Sequence, residues 1–202
     1  MANTASTMLP LGSPAPDFTL PDTRPRNEAT VSKEDFAGRP LLVLFICNHC
    51  PFVKHVAPEL TRLANDYADR VAIVAISAND ADAYPADAPD KMADEADHWG
   101  YPFPYLYDET QAVAKAYTAA CTPDLFLFNT DHTLFYRGQL DDTRPYRISS
   151  GNYDDRNGAA NGQDLRAALD ALLAGQAPPA DQRPAMGCNI KWKPGNAPDY
   201  FG

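Results

Sequence analysis

The chain has no long apolar run. Its longest, Leu41 to Cys47, falls far short of the ~18 residues that a bilayer crossing needs, so no membrane partner or span is expected. The opening MANTASTMLPLGSPAPDF lacks the basic start and apolar core of an export signal, since Pro10, Gly12, Ser13 and Pro14 interrupt it. A soluble, cytoplasmic protein is the expectation. Basic residues are also scarce: 17 Lys and Arg against 27 Asp and Glu give a net charge of −10, which argues against a nucleic-acid partner. Cysteine is limited to Cys47, Cys50, Cys121 and Cys188, too few and too scattered for a disulfide scaffold. There is no internal repeat, and the histidines are not grouped at metal-ligand spacing. Proline, by contrast, is plentiful at 19 of 202 residues, while 45% hydrophobic and 22% charged residues describe a globular chain. The length fits one elaborated domain better than two.

Leu41 to Ile46, following Gly38-Arg39-Pro40, is a continuous apolar run of the kind that forms a strand buried on both faces. From Pro51 to Asp69, Phe52, Val53, Val56, Leu60, Leu63, Ala64 and Tyr67 recur at helical spacing, with a potential kink at Ala57-Pro58. Val71 to Ile76 is a second buried strand, and its distance from the first fits a parallel crossover, which sets the class as α/β. Asn79 to Asp90 reads as loop, Lys91 to Trp99 as helix, and the prolines of Tyr101-Pro102-Phe103-Pro104 preclude a central strand there. Glu109 to Tyr117 is expected to be helical with Val113 and Ala114 inward. Leu125 to Phe128 and Thr133 to Arg137 are expected to form a hairpin around the turn Asn129 to His132. Ser149 to Gly162 has the composition of a flexible loop, Gln163 to Leu173 is an amphipathic helix, and Gly175 to Pro184 is an extended linker.

Cys47-Asn48-His49-Cys50 falls where the first buried strand ends and the long helix begins, a junction at which unpaired N–H groups and the helix dipole stabilise a thiolate. Redox chemistry is the preferred reading of this pair over half of a zinc site. Pro51 in place of histidine after Cys50 excludes a c-type haem site. Proline is favoured at the first helical position and damaging deeper in, so the helix is expected to start at Pro51 with Cys50 as its N-cap. That aims the Cys50 sulfur at the first-turn N–H groups and makes Cys50 the attacking thiol, with Cys47 resolving. The bland alternative is a buried strand-end cysteine and a cap. His49 and Lys54 are each either solvated side chains or cations that lower the neighbouring thiol's pKa.

Ala15-Pro16-Asp17-Phe18-Thr19-Leu20, Phe36 to Phe45, Thr122-Pro123, the CxxC with Pro51-Phe52-Val53-Lys54, and Gly187-Cys188-Asn189-Ile190-Lys191-Trp192-Lys193 together carry a resemblance. On them the chain resembles the thioredoxin-fold redoxin superfamily, in its alkyl hydroperoxide reductase and thiol-specific antioxidant branch, and a peroxiredoxin-like subgroup with a thioredoxin-type CxxC. The resemblance implies a thioredoxin-like fold, a central mixed sheet flanked by helices, with an N-terminal extension and inserted loops. The expected layout is a disordered lead over 1–10, the redoxin domain over 11–175, and an extended tail over 176–202 packed on the domain. The resemblance also makes Thr122-Pro123 a cis bond lying across the CxxC, with the Thr122 backbone offered to a substrate chain. Cys121 would then lie near the pair, as a buried small hydrophobe or an auxiliary thiol. Cys188 is either a packed anchor or a resolving thiol from the tail.

The sequence departs from the peroxiredoxin pattern. Counting back from Cys50, Cys47 stands at the hydroxyl position and Val43 at the proline position, and Pro123 stands where the peroxide-polarising arginine is expected. Cys50-Pro51 does match the peroxidatic pair. The leading expectation is therefore a thiol–disulfide oxidoreductase without cofactor or metal, acting on a protein or small-molecule disulfide and restored by an external thiol reductant. The alternatives are a thiol peroxidase with Cys50 as its peroxidatic cysteine, and a noncatalytic redox-sensing or metal-binding module drawing on Cys47, Cys50, Cys121, Cys188 or His49.

Overall fold

Alternation within the two apolar runs decides the architecture. The computed structural model describes residues 3–24 and 29–200. In chain order it contains strands β1 (Asn3–Ala5), β2 (Thr19–Pro21), β3 (Thr30–Ser32) and β4 (Leu41–Phe45), helix α1 (Pro51–Tyr67), strand β5 (Ala72–Ser77), helix α2 (Pro89–Trp99) and strand β6 (Tyr105–Tyr107). Helix α3 (Ala112–Ala116) follows, then strands β7 (Cys121–Thr122), β8 (Asp124–Phe128), β9 (Leu134–Gly138), β10 (Tyr146–Ser149) and β11 (Asn152–Asp154), helix α4 (Gln163–Leu173) and strand β12 (Met186–Asn189).

The central sheet has the order β6-β5-β4-β8-β9. β4 pairs parallel with β5 and antiparallel with β8, so the sheet is mixed and β4 is buried along its whole length. Successive residues of a strand point to opposite faces, and here both faces are covered. Leu42, Leu44 and Ile46 pack with α1, α2 and α4 through Val56, Leu60, Met92, Leu165 and Leu169. Leu41, Val43 and Phe45 face Phe18, Val113, Ala114, Tyr117 and Ile190 on the other side. This is a thioredoxin-like α/β fold. Among the described residues no helix is long and apolar enough to cross a membrane.

Helix α1 starts at Pro51, with Cys50 in extended backbone at φ −74° and ψ 123° as its N-cap, and runs through Pro58. The Tyr101–Pro104 prolines are followed by β6, an edge strand, which needs fewer ladder donors than a central one. α3 is shorter than the run from Glu109 to Tyr117. The Asp108 carboxylate and the Thr110 hydroxyl accept from the N–H groups of Ala114 and Ala112, and Gln111 sits at φ 63°, so the helix begins only at Ala112.

Two expectations are corrected. The lead over 1–10 is not a disordered segment: Asn3–Ala5 forms β1, paired antiparallel with β12, because the chain's own tail offers it a ladder. Met1 and Ala2, and in the tail Phe201 and Gly202, lie outside the described residues. Ser149 to Gly162 is not wholly loop either, since β10 and β11 pair across its start. That hairpin is held against α1 by His55, whose Nδ1 lies 2.6 Å from Asp155 and Nε2 2.8 Å from the Thr143 hydroxyl.

Candidate active site

β4 delivers Cys47 and α1 begins just after Cys50, so the pair sits at the C-terminal end of the central strand. From the other side, β7 and β8 bring Thr122 and Pro123, joined by a cis peptide bond, against the two sulfurs. Cys47 Sγ lies 3.4 Å from the Thr122 hydroxyl, and the Cys50 thiol donates to the Thr122 carbonyl at 3.3 Å. All four cysteines are buried thiols. Sequence neighbours Cys47 and Cys50 thus meet Thr122 and Pro123 as the resemblance implies.

The two thiols of the pair are electrostatically unequal. Burial opposes ionisation of Cys50, but hydrogen bonds from the Cys188 and Cys47 thiols and the N–H groups of Val53 and Cys188 outweigh it and lower its pKa far below the ordinary thiol value. Val53 lies in the first turn of α1. The sulfur does not make a full capping hydrogen bond there, yet the N–H dipoles of that turn still favour its charged form. Cys47 is pushed the opposite way, by burial first, then by its bond to Cys50 and by the Asp87 carboxylate. The surroundings therefore favour the charged form at Cys50 and the neutral form at Cys47.

Asp87 organises the CxxC loop, and the sequence alone did not reveal it. A short 3-10 turn, Pro85–Asp87, inserts its buried carboxylate under the CxxC loop. One oxygen accepts the N–H groups of Asn48 at 2.9 Å and His49 at 3.3 Å. The other takes His49 Nδ1 at 2.6 Å and the Asn79 amide at 2.8 Å. Burial would raise its pKa, but the bonds from His49, Asn79 and Asn48 win and hold it low. Asn48 is fixed further by the Tyr105 hydroxyl, which donates to its Oδ1 at 3.0 Å. An acidic residue in an Asp-, Ala- and Pro-rich loop carries no local mark of this role.

His49 is turned toward Asp87 and stacks on Tyr84 at 5.6 Å between ring centroids, so its Nδ1 partners the loop carboxylate rather than a sulfur. Cys47, His49 and Asp87 place one ligand atom each within 4.8 Å of one another, the grouping closest to a metal site among the described residues. Cys121 is buried in β7, its thiol facing the Pro123 carbonyl at 3.5 Å, with its pKa raised by burial, by Asp124 and by the nearby Cys50. Lys54 is exposed and, with His49, borders two cavities. One, of about 340 Å³, opens toward His55, Asn152 and Tyr153 of the hairpin side. The other, of about 470 Å³, opens toward Lys91, Glu95 and Trp99 of α2.

A helix that opens on a CxxC, facing a cis-proline at the start of an inner strand of a mixed sheet, defines a thioredoxin-fold protein of the redoxin class. Comparison with known proteins narrows this. The AhpC/TSA family profile matches residues 11–137, and the chain belongs to that family. A Mycobacterium tuberculosis protein provisionally named a peroxiredoxin is 32% identical over 116 residues, covering 57% of this chain and 68% of that protein. Among solved structures, an uncharacterised conserved protein from Geobacillus kaustophilus is 52% identical with a TM-score of 0.86, covering 96% of this chain and 98% of that one. A hypothetical protein from Sinorhizobium meliloti is 43% identical with a TM-score of 0.86, covering 95% and 100%. A secreted Mycobacterium tuberculosis disulfide oxidoreductase is similar in fold alone, at 18% identity and a TM-score of 0.55 over 77% of this chain and 96% of that one. At the level of the family, the chain is a thiol-dependent redox protein.

Proposed function

We propose that the protein is a thiol–disulfide oxidoreductase in which Cys50 attacks and Cys47 resolves. The observation that carries this reading is the CxxC at the start of α1, Cys50 as its N-cap and both sulfurs against the cis Thr122–Pro123 turn, in surroundings that favour the thiolate at Cys50 over that at Cys47. The Cys50 thiolate attacks one sulfur of a substrate disulfide. That bond breaks, a mixed disulfide forms through Cys50, and the first substrate sulfur leaves as a thiolate. Cys47 then loses its proton and attacks the Cys50 sulfur, releasing the second substrate sulfur with its electron pair. The substrate is reduced by two electrons and the CxxC is oxidised to a disulfide, which an external dithiol returns to the starting state.

Cys50 is 0% and Cys47 2% exposed, so the substrate reaches sulfur only after the cover formed by the Thr122–Pro123 turn and the tail moves aside. His49 stands between the two cavities, which makes the CxxC loop the ridge that a substrate segment crosses. A thiol peroxidase is the second reading, favoured by membership of the AhpC/TSA family. Against it, the chain has Cys47 at the hydroxyl position and Pro123 at the arginine position noted above.

A Cys47→Ser, Cys188→Ser variant tests the order of attack, the second change leaving no adjacent tail thiol to release a trapped partner. It is expected to accumulate mixed disulfides through Cys50 with disulfide-bonded substrates. Accumulation only in a Cys50→Ser variant, through Cys47, would contradict the assignment. Peroxide consumption far above that of free cysteine would favour the peroxidase reading instead.

A further inference from the structure

The Thr122 backbone, which the fold makes available to an incoming chain, is already taken. β12 pairs antiparallel with β7, with Cys188 opposite Thr122 and Asn189 opposite Cys121. The approach is close. A Cβ on Gly187 would fall 2.0 Å from the Thr122 carbonyl oxygen, so only glycine lets the tail lie this near the cis-proline turn. The next residue, Cys188, is 1% exposed and packs in the same buried cluster as Cys47 and Cys50. Cys188 is near enough to the Cys50 sulfur to favour its charged form, and Cys50 in turn holds the Cys188 thiol in its neutral form. Cys50 therefore has two cysteine neighbours, Cys47 from its own loop and Cys188 from a strand laid where a substrate strand would lie.

We infer that Cys188 is a third redox-active thiol of this site, with β12 acting as a built-in substrate strand whose sulfur exchanges with Cys47 for Cys50. This rests on the dithiol reading above. Starting from the Cys47–Cys50 disulfide, Cys188 gives up its proton and attacks the Cys50 sulfur. The Cys47–Cys50 bond breaks, a Cys50–Cys188 bond forms, and Cys47 leaves with the electron pair and takes up a proton. No net oxidation occurs, so no further reactant is needed. In the product the tail is tied covalently to the N-cap of α1, and a foreign strand is shut out of Thr122. In the reduced protein the tail is held by its ladder and by hydrogen bonds such as those of Lys191 and Lys193 with Asn79 and Gln111, with no covalent tie, and can be displaced.

Oxidised glutathione added to the full-length Cys47→Ser protein separates the outcomes, since Cys50 can then pair only with glutathione or another protein thiol. The expected product is an intramolecular Cys50–Cys188 disulfide in non-reducing peptide mapping, with both halves of the oxidised glutathione released as thiol. Adding Cys188→Ser should convert that product into a stable glutathione adduct on Cys50. Cys188 recovered as an alkylatable thiol throughout, whether Cys50 is glutathionylated or unreacted, overturns the inference. A Cys47→Ala protein repeats the test should the serine disturb the loop. A Cys188→Ser protein oxidised in parallel distinguishes the two claims. A Cys47–Cys50 disulfide there with no Cys188 bond in the Cys47→Ser protein sinks only the inference, whereas no Cys47–Cys50 disulfide in the Cys188→Ser protein sinks the dithiol reading.

Discussion

Asp124 enters β8 one residue after the cis-proline with its carboxyl fully buried and its Oδ1 without a hydrogen-bond partner among the described residues. Burial raises its pKa to about 7, against the opposing pull of the N–H groups of Ala120, Cys121 and Leu125. The folded protein thus keeps a proton that the unfolded chain has lost. Its contribution to stability is complete below about pH 4 and is lost as the pH rises through about 7. Asp124→Asn is expected to flatten the decline in unfolding free energy across that window and to leave the variant more stable than wild type at alkaline pH, by an amount on the order of a few kcal/mol. Urea unfolding at a series of pH values measures this, and an unchanged slope would mean that the carboxyl ionises normally. Residues of this scale divided sharply in legibility. Cys47, Cys50 and Pro51 are neighbours in the chain, and the helix-start rule assigns them local roles that the backbone bears out at Cys50 and Pro51. Asp87 acts on N–H groups 38 and 39 residues away and Asp124 is set apart by the burial that folding imposes, and no spacing in the sequence marks either.

At the scale of elements, strands buried on both faces and amphipathic helices were read to within a few residues, since both rest on periodicity. α4 falls on Gln163–Leu173, and β4 and β5 fall on the two apolar runs. Short strands were not legible. β1, β7 and β12 are two to four residues long, too short for any period, and exist because they pair with one another in the order β1-β12-β7. β10 is exposed along its length and so has no apolar alternation to reveal it. The tail strand gives the prediction at this scale. Gly187→Ala pushes a methyl group into the Thr122 carbonyl and should loosen β12 from β7 without touching the central sheet. Alkylation of Cys50 at fixed pH is expected to accelerate by about tenfold or more, corresponding to about 1.4 kcal/mol of easier opening. Unchanged accessibility would mean that β12 is not the cover.

Over the whole molecule, one mixed sheet carries a core on each face, and its central strand ends in the redox pair. Class and family were legible because they follow from order: strand, CxxC, helix, strand, and later a Thr-Pro before another strand. The closure of the molecule was not, since it joins the two ends of the chain, with Asn3 opposite Cys188 and Cys188 opposite Thr122. That closure brings the tail thiol into the buried cluster that holds Cys50. What the assembled site does to its two CxxC thiols is therefore the central question, and alkylation rate against pH in Cys47→Ser and Cys50→Ser proteins answers it most directly. Cys50, measured in Cys47→Ser, is expected to react with a midpoint well below the ordinary thiol value, while Cys47, measured in Cys50→Ser, should show its midpoint above it. A low midpoint belonging to Cys47 and an ordinary one to Cys50 would contradict the assignment of Cys50 as the attacking sulfur.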